Sequence, residues 1–397
     1  MTVPKSIREP LGNISVSGCF DVIVVGGGIG GVAATVAAAR NGASTCLIER
    51  SFGLGGLATL GNVIEYLPLC DGMGHQVIKG LGEELLKLSI KDGFDVIPAC
   101  WRRGGDVSER IKKRYRVSFN PMSFMLELEG LISRNGVKLY YDTRFCRVIK
   151  EGGLIKAVIV ENKNGRSALL CKAVVDASGD ADVCRQSGEK TVSWKTNVCA
   201  GWFYYFDGKT VRLNKFSRWY DACGKCLPAS GRNFAGDDAD EVTDFMLETR
   251  KLIRRELVKI KKKKHIVRPL FMPYLPALRM TRRLQGALEL EQDHDRQYFE
   301  DAVGMTGDWR KKGPVFFIPF RALAAVKTGN LIAAGRCISA GKTSWDIMRA
   351  IPTCAVTGEA AGTASAMLRV NEKKSFAELD IVHLQERLRS QKVVIKE

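Results

Sequence analysis

The sequence predicts an α/β protein in which a parallel sheet and a β-meander are interrupted by an inserted α+β segment, and three observations lead there. The apolar run Asp21–Val25 passes straight into a glycine cluster and then into small helix formers. From Gly136 to Asp180 apolar and polar residues alternate, with turn signals at Gly152-Gly153 and Asn164-Gly165. Late in the chain, "NLIAAGRCISAG" repeats the opening design, an apolar strand running into Gly335 and Arg336.

Taken in order, Asp21–Val25 reads as a buried parallel strand, because a β-branched stretch of this length bounded by glycine has that pattern. Gly26, Gly28 and Gly31 fit GxGxxG, with Gly30 inside the same cluster. In that spacing the first glycine makes the tight turn, the second lets a pyrophosphate approach the backbone, and the third lets helix and strand pack closely. The helix expected from Ile29 to Arg40 aims its free N–H groups at phosphate. "ASTCLIE" follows as a second strand ending in Glu49, an acid placed roughly 20 residues past the turn to accept ribose hydroxyls. Strand, glycines, helix, strand and acid in register predict a dinucleotide site and leave NAD or FAD open.

Directly afterwards come Arg50 and a second glycine loop, with Gly53, Gly55, Gly56 and Gly61 around Ala58 and Thr59. An extended FAD needs backbone contact along its pyrophosphate and ribityl chain, so this loop tilts the reading toward flavin. The meander closes with a buried strand, Ala173–Ala177, and a small-residue turn, Ser178-Gly179-Asp180. Pro352 sits where proline is favoured, in the first turn of a helix. Residues 1–185 and 324–372 are therefore expected to form a Rossmann-like FAD-binding domain, and 186–323 an inserted α+β substrate or cap domain. Residues 373–397 read as a helical tail, opened by Ser375 and Glu378 in capping-box spacing.

The 397 residues exceed what one core usually serves, and 45% hydrophobic with 26% charged residues describe a globular chain. No apolar run reaches membrane-span length, and "MTVPKSIREPLGN" lacks the core of a signal peptide, so the expected compartment is the cytoplasm. Twelve scattered cysteines suggest reduced thiols; Cys223 and Cys226 form a lone CxxC open to a redox, zinc or incidental reading. The net charge of +18 is concentrated in "RKLIRRELVKIKKKKH", an expected amphipathic helix whose basic face is solvated or meets an anionic surface. No aromatic platform accompanies it, which disfavours nucleic acid as a partner.

These motifs together, "GGGIGG", "GLGGLAT", "YDTRFCRV", "VVDASGDADV", "TRRLQG", "IPFRAL", "AAGRCISA" and "IPTCAVTGEAAGTA", resemble the FAD-dependent oxidoreductase family. Its fold is similar to the flavoprotein subunits of succinate dehydrogenase and fumarate reductase and to the glutathione reductase class. The resemblance runs from Asp21 to about Val394. It implies non-covalent FAD, with Glu49 on the adenosine ribose, the Phe145 backbone near adenine, and Ala177, Ser178, Gly179 and Asp180 beside the pyrophosphate. Gly335, Arg336, Pro352 and Thr353 would hold the ribityl and flavin end, the helix start at Thr353–Ala355 facing the charge that flavin gains on reduction. The chain departs from the family where Gly341, Lys342 and Thr343 replace its usual Thr-His-Glu, and where Met280 replaces an acid in "RMTRR". Both departures touch the expected substrate side.

The expected reaction is hydride transfer between FAD and a small organic substrate, with an electron donor or acceptor to complete the cycle. Arg282 and Arg349 are the leading substrate clamps, with Arg283 behind them, since guanidinium grips carboxylate in a fork. His75 is the candidate acid or base, with Asp71 and Glu65 as alternatives. No metal site is expected: His294 in "EQDHDRQ" suits a helix cap, and His265 and His383 suit the surface. Two other readings stand beside this one, an electron-transfer subunit docking on a protein through its basic face and an FAD-dependent RNA-modifying enzyme.

Overall fold

The computed structural model describes residues 12–218, 220, 232–370 and 375–396. In chain order, β1 (Val16–Val25), α1 (Ile29–Arg40) and β2 (Thr45–Ile48) form the opening unit. Next come β3 (Glu65–Tyr66), α2 (Gly80–Ser89), β4 (Val117–Ser118), α3 (Pro121–Arg134) and β5 (Lys138–Tyr140). The meander is β6 (Arg144–Glu151), β7 (Leu154–Asn162) and β8 (Gly165–Asp176). The middle of the chain holds α4 (Asp182–Gln186), β9 (Thr191–Ser193), β10 (Ala200–Phe206), β11 (Val211–Ser217), α5 (Ala239–Lys261), β12 (Arg268–Phe271) and β13 (Arg282–Leu284). β14 (Ala302–Gly307), β15 (Val315–Pro319), β16 (Leu331–Ala333), α6 (Lys342–Met348), α7 (Ile351–Val370) and α8 (Ile381–Ser390) complete it.

The main sheet runs β5-β2-β1-β8-β7-β6, with β16 added on β8. β5, β2, β1, β8 and β16 are parallel, and β7 and β6 are antiparallel. β8 serves both parts: Ala173–Asp176 lies between β1 and β16, whereas Gly165–Leu170 also pairs with β7. That long strand explains why β1 begins at Val16, ahead of the expected Asp21, since Val16–Phe20 pairs with Ala168–Cys171. The geometric consequence matters most. Parallel strands end on one edge of a sheet, so the bends after Val25, Asp176 and Ala333 emerge side by side.

α1 is buried from Ile29 to Ala38, as expected of a helix apolar all round. It packs against α7 as well as the sheet. Gly358 and Gly362 make that contact: a methyl on either would collide with the carbonyl oxygen of Gly30 or Ala34, respectively.

The β11-β10-β12 sheet of the middle segment is covered by α5, where Phe203, Tyr205, Ile253 and Val267 form a core of their own. α5 starts at Ala239 instead of Arg250, because Asp238 accepts from the amides of Asp240 and Glu241 and caps it. It ends at Lys261, so Lys262–His265 lie past its last turn. The tail also differs from expectation. Ser375 accepts from Ala377 N and caps only a short 3₁₀ turn, Phe376–Glu378, while Asp380 caps α8 by accepting from His383 N. The described cysteines are free thiols; Cys223 and Cys226 lie outside the described residues.

Candidate active site

Four glycine-bearing segments meet at the carboxyl edge of the parallel strands. Gly26, in the left-handed region at φ 101°, lies so close to the third bend that a methyl there would stand 2.5 Å from the Ala177 carbonyl oxygen. A methyl on Gly31 would collide with Gly26 O, and one on Gly30 would come within 2.9 Å of Gly335 Cα. Gly55 N donates to Gly27 O at 2.8 Å, which stitches the second loop to the first. Gly28 is the exception. A methyl there would meet nothing within 4 Å, so its backbone faces open space at the start of α1. No side chain caps that helix, and its first turn carries no acid to occupy the amides.

Polar groups pin these bends. Glu49, 9% exposed, accepts from Gly27 N at 2.6 Å and from Ser51 N at 2.8 Å, which fixes its carboxylate beside the first turn. Asp176 is fully buried and accepts from Ser178 N, Ser178 Oγ and Cys184 N, so it shapes the third bend from within. Arg336 ties three segments together, donating to Gly179 O at 2.7 Å, Asp180 at 2.8 Å and Leu278 O at 3.1 Å. Thr59 donates to Leu54 O and holds the loop that carries Gly56 and Ala58. Arg50 is exposed just after Glu49, and Phe145 pairs with Val160 on β6.

The substrate-side candidates fall into separate places. Arg282 lies on β13, which packs on the turn holding Gly335 and Arg336. It is 6% exposed and donates from Nη2 to Asp182 at 2.5 Å, while its Nε and Nη1 have no partner among the described residues. Burial, then the charges of Asp180 and Asp176, push Asp182 up to about 6 against the pull of Arg282. Arg283 is enclosed differently: it donates to Glu289 and lies over the rings of Trp194 and Trp345. Its role in the fold is that of a buried strut.

Arg349 belongs to another cluster. It donates from Nε and Nη2 to Asp346, one turn earlier on α6, and lies over Tyr220 and Trp309. Arg279 faces the same tyrosine from 4.7 Å, with Val198 O and Ser217 Oγ as its hydrogen-bond acceptors. Nearby Arg310 is matched by Asp308 and Arg349 by Asp346, but no carboxylate pairs with Arg279 among the described residues. Burial, then the positive charge of Arg349, lower its guanidinium to about 10. Thr353, fully buried in the first turn of α7 beside Pro352, shares a 2.7 Å hydrogen bond with Thr306.

His75 sits apart on the 71–76 turn with its side chain 80% exposed, and its Nδ1 lies 3.0 Å from Asp71. Burial acts to raise Asp71, but hydrogen bonds from His75 and the Met73 amide outweigh it and keep the carboxyl below its usual value. Glu65, the other alternative, pairs with Lys215 on β11. His294 accepts from Glu291 N in a capping box, the role its sequence suggested.

Asp176, Arg279, Asp346, Tyr220 and Asn62 are site residues to which the sequence reading gave no role, although Asp176 lies inside "VVDASGDADV" and Arg279 opens "RMTRR". Asp346 also carried a local signal, three residues before Arg349. Asn62 is buried in the second glycine loop, donates to Trp202 O of β10, and keeps an unpartnered Oδ1. Space at Gly28, uncapped α1 amides, the fixed Glu49 carboxylate and the orphaned Arg282 donors suit an extended, diphosphate-bearing dinucleotide.

A family model described as FAD dependent oxidoreductase matches residues 21–197 and 237–388. No curated protein matches the chain. Solved structures with a similar fold include a geranylgeranyl bacteriochlorophyll reductase-like protein from Thermoplasma acidophilum, at 14% identity over 95% of this chain and 84% of that one, with a TM-score of 0.46. p-Nitrophenol 4-monooxygenase PnpA from Pseudomonas putida DLL-E4 gives 13% identity over 96% and 90%, with a TM-score of 0.47. A flavocytochrome c3 fumarate reductase in its open conformation gives 12% over 90% and 79%, with a TM-score of 0.43.

Proposed function

The chain belongs to the FAD-dependent oxidoreductase family, an enzyme whose cofactor is FAD, and we propose that it passes a hydride between that flavin and a small organic carboxylate. Bound FAD supplies the two-electron chemistry. The chain's part is to hold, orient and neutralise. The α1 amides at Gly28–Gly31, with Gly26 and Gly30 giving the close approach, receive the pyrophosphate, and Glu49 receives the ribose hydroxyls. Arg50, Gly56, Ala58, Thr59, Phe145 and the Ala177–Asp180 bend line the adenosine and ribityl path. Gly335, Arg336, Pro352 and Thr353 border the flavin end, and residues 186–323 form the substrate-side cap.

Arg279 carries the substrate assignment. A half-buried guanidinium that lies over Tyr220 and is matched by no carboxylate among the described residues can take one, and an incoming anion supplies that partner. Arg349, oriented by Asp346 and lying over the same Tyr220 ring, adds a second cation to that place. Arg282 keeps two unpartnered donors beside the turn that holds Gly335 and Arg336. His75, anchored through Nδ1 by Asp71 on an exposed turn apart from these arginines, is the remaining candidate for the acid or base.

The test is anaerobic bleaching of the flavin bands by a panel of small carboxylates and their uncharged amide or alcohol counterparts. Carboxylates are expected to bleach selectively. Arg279→Met should raise the concentration needed for half-maximal bleaching about ten- to a hundredfold while the flavin stays bound. Equal bleaching by the uncharged compounds, with Arg279→Met unaltered, would reject the carboxylate reading.

A further inference from the structure

Arg279 and Arg349 are like charges that meet at one aromatic ring. The Arg279 guanidinium lies 4.7 Å from the centre of Tyr220, and that of Arg349 lies 5.7 Å from it. The three side chains reach this point from different segments: Tyr220 follows β11, Arg279 precedes β13, and Arg349 ends α6. Arg349 is held independently of the tyrosine. It is bound to Asp346 and also lies 5.9 Å from the centre of the Trp309 ring. That indole is itself fixed, since its Nε1 donates to Asp346 O at 2.9 Å and Arg114 donates to its backbone oxygen at 3.0 Å. Arg279 has less to hold it. It donates to Ser217 Oγ at 3.0 Å and to Val198 O at 3.4 Å, and these neutral acceptors do not offset the charge of Arg349. Among the described residues Tyr220 is the ring it lies over.

We propose that Tyr220 is a positioning residue of the substrate site, its ring keeping the Arg279 guanidinium beside that of Arg349 so that one carboxylate meets both. The inference rests on the carboxylate reading of these arginines. An aromatic face attracts cations, whereas an aliphatic side chain of similar size would exclude water there without attracting either charge. Burial pushes the Tyr220 hydroxyl up to about 12, so the phenol brings no negative charge and the attraction is that of the ring. Without the ring, the half-exposed Arg279 turns away from its like-charged neighbour into water. A carboxylate then meets Arg349 alone, whose charge Asp346 already matches. Loss of the ring therefore resembles loss of Arg279 itself.

Calorimetric titration of the FAD-loaded protein with acetate, pyruvate and benzoate, and with benzamide as the uncharged control, tests this. The parent is expected to bind at least one of the carboxylates and not the amide. Tyr220→Leu should weaken that binding about tenfold, while Tyr220→Phe, which keeps the ring, stays within about twofold of the parent. Arg279→Met combined with Tyr220→Leu should bind no more weakly than Arg279→Met alone, because the ring acts through that arginine. Tyr220→Met also removes the ring, and flavin content with melting temperature reports which variants fold. Parent-like binding by Tyr220→Leu, with Arg279→Met weakened, would overturn this inference and leave the carboxylate reading standing. Equal losses in Tyr220→Phe and Tyr220→Leu, or additive losses in the double variant, would overturn it as well. A parent that binds none of the three carboxylates would remove both.

Discussion

Gly28 and Gly31 are three positions apart in one motif and do different work. Gly31 is required by packing, because any side chain would strike Gly26 O, whereas Gly28 opens onto empty space. Gly28→Ala is therefore expected to fold with a flavin-free melting temperature close to the parent, yet to bind FAD about tenfold or more weakly, as read by flavin fluorescence titration. Gly31→Ala should lose the fold before binding can be measured. Equal effects of the two changes on stability would mean that the cradle is misplaced. Arg282 illustrates the converse situation, a side chain whose orphaned donors mark a site through what it does not touch.

The α1–α7 pair is held by backbone contact, not by large side chains. Gly362→Ala would press a methyl into Ala34 O and is expected to cost on the order of 1–3 kcal/mol, visible as a lower denaturation midpoint. On the same helix, Glu359 accepts from Leu81 N at 2.8 Å, and burial raises its carboxyl to about 8. Its folded form keeps a proton that the unfolded chain releases near pH 4.5, so its contribution to stability falls as pH rises from there to about 8. Glu359→Gln retains an acceptor for Leu81 and carries no charge. It should raise the melting temperature at pH 8 by a few degrees and leave it nearly unchanged at pH 4, and a gain of equal size at both values would contradict this account.

Joining distant segments through one cofactor has a thermodynamic signature. FAD contacts proposed here span residues 26 to 353, so binding and folding are linked, and FAD at about 100-fold above its dissociation constant should stabilise the chain by about 2.7 kcal/mol. A flavin-free protein whose unfolding transition ignores added FAD would break that link.

The glycine bends, the β1–α1–β2 unit, the meander turns and the Pro352 helix start were legible in the chain alone, because each is specified by backbone constraints or by alternation over a few neighbouring residues. Glu49 belongs with them, being set by its distance from the first turn. The Asp346–Arg349 pair was half legible, one helical turn apart. Tyr220 and Asn62 were not, and Arg279 was visible only as the first residue of "RMTRR", since their significance lies in contacts between segments far apart in sequence. Whether a cation is matched, or a polar atom left without a partner, depends on which chains the fold brings within a few ångströms. Local chemistry thus specified the glycine bends proposed as the cofactor cradle, and long-range packing determined which charges were left unmatched.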